Sequence, residues 1–385
     1  MNPEVLDVLI MGGGIIGLAC ARELAKAGLK VEVVERREAG AEASLAAAGM
    51  LAPLAESPEP GPFFDACRAS RDLWPAWAAA LAEETGLSIE HDASGSLVVA
   101  LEPAEEPELE RLAAAARALG EAVEEIAPET LAQWVPDVAP SVRRALRLPG
   151  DHRVDNVQAC AVLAAAAERA GATLTYGFEV ARVERVDFIG AGERVRLIGR
   201  NGIREAPRLV LAAGAWSGRI PGLPALPVRP VRGQIALLAG VAWPWKGSVR
   251  GLHAYTVRRG ATGLLVGSTM EEAGWNSHPT LAGAEGLLAF ARRTFPGLAG
   301  ARLEAVWAGL RPGTPDGLPI LGPLPGWPAV LAATGHFRNG ILLAPWTARE
   351  IARMVASGGA VEPASPFAPG RFGAWPLPAS AHVRA

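Results

Sequence analysis

The stretch "VLDVLIMGGGIIGLACARELAKAGLKVEVVERRE", residues 5–38, decides the fold. Residues 5–11 are a short apolar run. Glycines follow at 12, 14 and 17, and Ile15, Ile16, Leu18, Ala19 and Leu24 recur at helical spacing until Gly28. "LKVEVVE" then supplies a second strand. Strand, glycine turn, helix and strand in this order match G-x-G-x-x-G, where Gly12 makes a tight turn, Gly14 lets a pyrophosphate approach the backbone, and Gly17 lets helix and strand pack closely. The free N–H groups of the helix start face the anion. Glu35, ending the second strand, stands where a carboxylate takes ribose hydroxyls. It argues against a 2′-phosphate, an argument that Arg36 and Arg37 directly after it weaken. The motif implies a dinucleotide and does not separate NAD from FAD.

Outward from it, "EASLAAAGMLAP" (42–53) is made of small residues. It reads as a buried alanine-rich helix start. It also reads as a surface against which a flat ring can lie, with Ser44 reaching a phosphate or ribose oxygen and Met50 facing whatever covers the ring.

At 385 residues the chain exceeds one ordinary core, so two domains, or one domain carrying a large insertion, are expected. Half the residues are apolar, a fifth are charged, and the formal net charge is -3, which leaves no electrostatic footprint for nucleic acid. Apolar runs of membrane-spanning length are absent from the sequence. Cys20, Cys67 and Cys160 lie far apart with no C-x-x-C spacing, so neither a zinc site nor a disulfide framework is expected. The expectation is a soluble cytoplasmic enzyme with no metal and no membrane partner.

The fold class expected is α/β: a Rossmann-like dinucleotide-binding domain from 1–85, 146–220 and 311–365, and a substrate domain on an antiparallel sheet from 86–145 and 221–310. Residues 366–385 are expected as a C-terminal tail. "GSLVVAL" (95–101) is a strand candidate, and the acidic 102–125 stretch reads as a solvated helix face. Val180 and Val183 alternate along a strand, near an adenine or simply buried. "APRLVLAAGAWSG" (206–218) resembles a central parallel strand whose end meets a ligand. "HAYTVRRGATGLLVGSTM" (253–270) reads as an antiparallel hairpin carrying Tyr255 and Met270, which taken alone suit packing.

Two cations stand in unusual settings. In "VWAGLRPGTPDGLPILG" (306–322), Pro312 biases Arg311 toward an extended conformation just before a reversal. A guanidinium fixed there clamps a carboxylate through two parallel hydrogen bonds, or pairs with a structural acid. In "TGHFRNGILLAPW" (334–346), Arg338 sits beside the start of a helix beginning near Asn339 or Gly340, and positive potential there suits the negative charge of a reduced flavin. Pro345, a turn inside, is expected to bend this helix or displace its start.

Together, the glycine motif with "AAAGMLAP", the "WAGLRPGTPDGLPILG" turn and "GHFRNGILLAP" closely resemble the bacterial glycine oxidases, within the D-amino-acid oxidase family of flavoproteins. The likeness runs from about residue 5 to 357. It implies an enzyme with non-covalent FAD that oxidises glycine or a small amine to the imine, passes hydride to flavin N5, reduces O2 to H2O2 and supplies thiamine biosynthesis. A D-amino-acid or sarcosine oxidase or dehydrogenase of the same fold is the alternative. The resemblance also implies a homo-oligomer, a tetramer. Arg311 and Tyr255 take the catalytic positions, with Met270, Met50 and Arg338 completing the substrate pocket. FAD contacts fall on Gly12, Gly14, Ile15, Ile16, Gly17, Glu35, Arg36, Ala43, Ser44, Ala48, Gly49, Met50, Val180, His336, Phe337, Arg338, Asn339, Gly340, Ile341 and Leu342. Trp346 departs from the small residues expected after "LLA".

Overall fold

The computed structural model describes residues 5–188, 192–358 and 365–373; most of the expected tail, 374–385, lies outside them. A six-stranded sheet has the order Ile320–Leu324, Trp327–Thr334, Arg208–Leu211, Val8–Met11, Val31–Glu35, Thr173–Tyr176. All neighbours pair in parallel except the first two. The strands Val8–Met11 and Arg208–Leu211 are central, as their unbroken apolar runs require.

Strand alternation explains why both faces are covered. Val8, Ile10, Val33 and Val210 point into a core built with the helices Ile15–Lys26, Pro62–Thr85, Asn156–Arg169 and Gly340–Ala356. Leu9, Met11, Val34 and Leu211 point the other way, onto Val183, Val195 and Leu197 of the antiparallel sheet formed by Val180–Phe188, Gly192–Gly199 and Gly202–Ala206. The glycines make the first turn fit. Gly12 has φ +109°, and a Cβ on Gly17 would lie 1.9 Å from the Gly12 carbonyl oxygen.

A second sheet of eight strands has the order Arg302–Gly313, Arg229–Ala239, Gly263–Gly267, Tyr255–Arg259, Ser248–Arg250, Ser96–Ala100, Arg144–Leu148, Glu124–Glu125. Its pairs are antiparallel apart from Ser248–Arg250 with Ser96–Ala100. The strands Arg144–Leu148 and Arg302–Gly313 run across the boundaries expected at 145/146 and 310/311.

The Gly340–Ala356 helix begins where expected and contains Pro345 without displacement of its start. Proline cannot donate to the Ile341 carbonyl, and the polar groups of the next rung, the Leu342 carbonyl and the Trp346 N–H, are met from a neighbouring helix. The Ser70 hydroxyl donates to the Leu342 carbonyl at 2.6 Å, Trp74 Nε1 donates to the same oxygen at 3.0 Å, and the Trp346 N–H reaches the Ser70 Oγ at 3.4 Å. The Trp346 ring packs edge-on against Phe367, 5.4 Å between centroids, so it sits away from the helix start rather than crowding it.

Candidate active site

Two cavities share a wall, and the larger of them lies at the C-terminal ends of the central strands. The larger, about 310 Å³, is a cleft walled at one end by Gly12, Gly14, Ile15, Ile16, Glu35 and Arg36, with Ala43, Ser44 and Val180 along it, and at the other by His336, Phe337, Arg338, Gly340 and Ile341. The first and last motifs of the sequence thus meet in one groove. Glu35 is fixed there by two backbone donors: its Oε2 accepts from the Gly13 N–H at 2.7 Å and its Oε1 from the Arg37 N–H at 2.9 Å. Ser44 Oγ accepts from the Ile15 N–H at 3.0 Å, at the start of the first helix. Arg36 pairs with Glu42 and lies 3.9 Å from the Trp216 ring centre.

Six expected contacts do not line this cleft or its neighbour: Gly17, Ala48, Gly49, Met50, Asn339 and Leu342. Each is spent on packing or chain direction. Gly17 is pressed to Gly12. Gly49, at φ +82°, faces the Val154 carbonyl so closely that a Cβ would sit 1.9 Å from its oxygen. Ala48 and Met50 pack in a cluster with Tyr255, which itself lines the second cavity. Asn339 is the buried residue preceding the last helix, and Leu342 is core. Val183, the other adenine candidate, is core too.

His336 is buried and its Nε2 lies 2.9 Å from Thr347 Oγ1. Burial lowers its pKa to about 3, so the ring is neutral. Phe337 adopts φ 48°, and its N–H donates to the Pro312 carbonyl at 3.1 Å. That bond ties the turn carrying Arg338 to the strand carrying Arg311.

The second cavity, about 280 Å³, shares Arg311 and Arg338 with the first and adds Arg250, Tyr255, Ser268, Thr269 and Met270. Tyr255, Met270, Arg311 and Arg338, far apart in sequence, are therefore neighbours. Arg311 Nη1 donates to the Thr269 carbonyl at 3.0 Å and Nη2 to Ser268 Oγ at 2.7 Å. Among the described residues no carboxylate pairs with it, and burial lowers its pKa. Arg338 differs: its Nε lies 2.7 Å from Glu56 Oε2, and Glu56 Oε1 lies 3.0 Å from Arg250 Nη1.

The floor beneath Arg311 is bare backbone. Val231 stands opposite Arg311, so Gly233, two residues on, shares its face. A Cβ there would lie 2.1 Å from Arg311 Nη1. The acceptors of Arg311 are held in turn. Burial would raise the Glu271 carboxyl, but hydrogen bonds from Thr269, Arg232 and Gln234 outweigh it and lower its pKa. The Gln234 N–H also donates to Thr269 Oγ1 at 2.9 Å.

Sequence reasoning missed Glu56, Arg250, Ser268, Gly233 and Trp216. Trp216 carried a positional signal, since it stands in the 206–218 stretch read as a central strand whose end meets a ligand; the others have none outside the fold. Among the described residues no cluster suits a metal, and Cys20, Cys67 and Cys160 are buried and line neither cavity. No helix among them is long and apolar enough to cross a membrane.

Known proteins with similar sequences and folds fit this geometry. A glycine oxidase from Bacillus licheniformis is 34% identical over 351 residues, spanning 91% of this chain and 92% of that protein. A bifunctional ThiO/ThiG protein from a Nostoc species is 37% identical over 362 residues; this chain spans 52% of its length. The crystal structure of glycine oxidase from Geobacillus kaustophilus superposes with a TM-score of 0.88 at 33% identity, covering 95% of this chain and 98% of that one. The family described as FAD dependent oxidoreductase matches residues 7–354, and the chain belongs to that DAO family.

Proposed function

We propose that this protein is a glycine oxidase that binds FAD without a covalent bond and oxidises glycine, and other small amines less readily, to the imine. The observation that carries this reading is the Arg311 guanidinium, which faces a small cavity with no acid of its own among the described residues. A half-buried, desolvated cation without an anion is costly, and a substrate carboxylate removes that cost.

The cleft suits FAD by its own chemistry: the Glu35 carboxylate at the ribose end, the N-terminal helix backbone at the pyrophosphate, and Arg338 beside the Gly340–Ala356 helix start at the ring end. FAD supplies the two-electron acceptor, whose electrons pass on to O2 to give H2O2. Arg311 takes the carboxylate in a forked hydrogen bond and so points the α-carbon toward the shared wall of the two cavities. Tyr255 and Met270 narrow the space around it. Among the described residues no carboxylate pairs with Arg311, and His253 also lines the cavity; an amine that arrives neutral needs no base from it, so the pocket orients rather than deprotonates. Water then converts the imine to glyoxylate and ammonia, unless a thiazole-forming partner in thiamine synthesis takes it first. The likeness to a bifunctional ThiO/ThiG protein supports that second fate.

A D-amino-acid or sarcosine oxidase is the second reading, supported by the exposed edge of the cavity at Met270, which is 62% exposed and leaves room for a substituent. The test is optical. Purified protein should absorb near about 450 nm and bleach when glycine is added without oxygen. Bleaching by sarcosine or D-alanine but not by glycine would favour the second reading, and a colourless protein that takes up no FAD would refute both.

A further inference from the structure

Four side chains form one stack along the rim of the cofactor cleft. The Arg36 guanidinium lies 3.9 Å from the Trp216 ring centre. Trp216 packs on Trp275 with centroids 5.3 Å apart and planes at 44°. Arg219 lies 4.7 Å from the Trp275 ring centre. Arg36, Trp216 and Arg219 line the cleft and follow the Val31–Glu35 and Arg208–Leu211 strands, on the side where an open α/β sheet receives its dinucleotide.

Trp275 comes from elsewhere. It belongs to the loop between the Gly263–Gly267 strand of the eight-stranded sheet and the Leu281–Thr294 helix. That loop is tied down on both sides of the ring. Before it, the Arg232 N–H donates to the Glu271 carbonyl at 2.9 Å and the Glu271 N–H to the Arg232 carbonyl at 3.0 Å. After it, Arg232 Nη1 donates to the His278 carbonyl at 3.0 Å and the Thr280 N–H to Gln234 Oε1 at 2.8 Å. With its loop anchored, Trp275 closes on Trp216 with little ordering cost.

We infer that Trp275 is a cofactor-retaining residue: by stacking on Trp216 it fastens a loop of the substrate sheet across the rim beside the adenosine half of FAD. This rests on the flavin reading above. The Glu35–Arg36 end of the cleft marks the ribose side, so the stack guards that half rather than the ring system. Trp216, Arg219 and Trp275 do not line the second cavity, so the stack bears on cofactor release and not on grip of the amino acid. For FAD to leave past this rim, Trp216 must part from Arg36 on one side or from Trp275 on the other.

The test is the rate at which the holoenzyme loses FAD on dilution into flavin-free buffer, read as returning fluorescence of free flavin. Trp275→Leu should release FAD about tenfold faster than the parent or more, a loss that one ring pair and its cations account for. Trp275→Phe keeps a ring and should stay within about threefold of the parent, a rescue that a merely space-filling role would not need. Leucine and parent releasing at the same rate would overturn the inference, as would leucine and phenylalanine being equally fast. If Trp275→Leu yields no folded protein, Trp275→Gln decides, because Trp275 does not line the cleft and its neighbours Gly274 and Asn276 are exposed: faster release supports the stack and an unchanged rate overturns it. A parent protein that binds no FAD at all would instead sink the flavin reading itself.

Discussion

Arg338 and Glu56 form an ion pair at 2.7 Å in the wall of the substrate cavity, and the Glu56 side chain is only 5% exposed. Its other oxygen holds Arg250 at 3.0 Å. One carboxylate therefore serves two arginines, while the third arginine of the cavity, Arg311, pairs with no carboxylate among the described residues. Glu56→Gln preserves shape and removes the anion. We expect a loss of about 2 kcal/mol in unfolding free energy by urea titration. That is less than for a fully buried pair, because Arg338 is a third exposed. Unchanged stability would mean the pair is solvent-screened and has no part in neutralising the wall.

Gly233→Ala places a methyl where the Arg311 guanidinium lies, 2.1 Å from Nη1. The clashing atom is the far end of a flexible side chain, so the fold should survive and the clamp should shift. The expected result is a melting temperature near the parent and a KM for glycine raised about tenfold, equivalent to about 1.4 kcal/mol of misplacement. A KM equal to the parent's would show that the guanidinium position is not what sets glycine affinity.

Asp151 carries the clearest pH signature. Burial raises its carboxyl from 3.8 to about 7, against the pull of Arg250 and the Ser96 hydroxyl. Between those values the folded chain holds a proton that the unfolded chain has released, so this residue's contribution to stability falls as pH rises through the window. Asp151→Asn removes the penalty. The variant and parent should match near pH 4, and the variant should be more stable by about 1 kcal/mol or more at pH 8. Equal stability at pH 8, by thermal melts across the range, would contradict this.

Legibility in the sequence followed the range of the interactions. The first βαβ unit was readable because its causes are local: Gly12 and Gly17 are five residues apart and one needs the other's closeness. Arg311 was readable because Pro312 and the turn after it fix its surroundings. The parts that hold Arg311 were not. Gly233 matters through the register that sets Val231 opposite Arg311, and Ser268 through a loop that Glu271 folds back onto Arg232. Glu56 carries no periodic or motif signal; only folding brings it between Arg338 and Arg250. Met50 stands in the strand Met50–Leu51, which pairs with His152–Val154, and packs on the cluster that holds Tyr255, a neighbourhood that no local spacing encodes.

The central claim is that Arg311 binds the substrate carboxylate, and the most direct measurement is kcat/KM for glycine, by peroxide formation, in Arg311→Ala with FAD bound. Loss of a buried charge pair costs about 2 to 5 kcal/mol, so kcat/KM should fall about thirtyfold or more, carried mainly by KM, while the bound-flavin spectrum persists. A variant that keeps its flavin and oxidises glycine with parental kcat/KM would contradict the account.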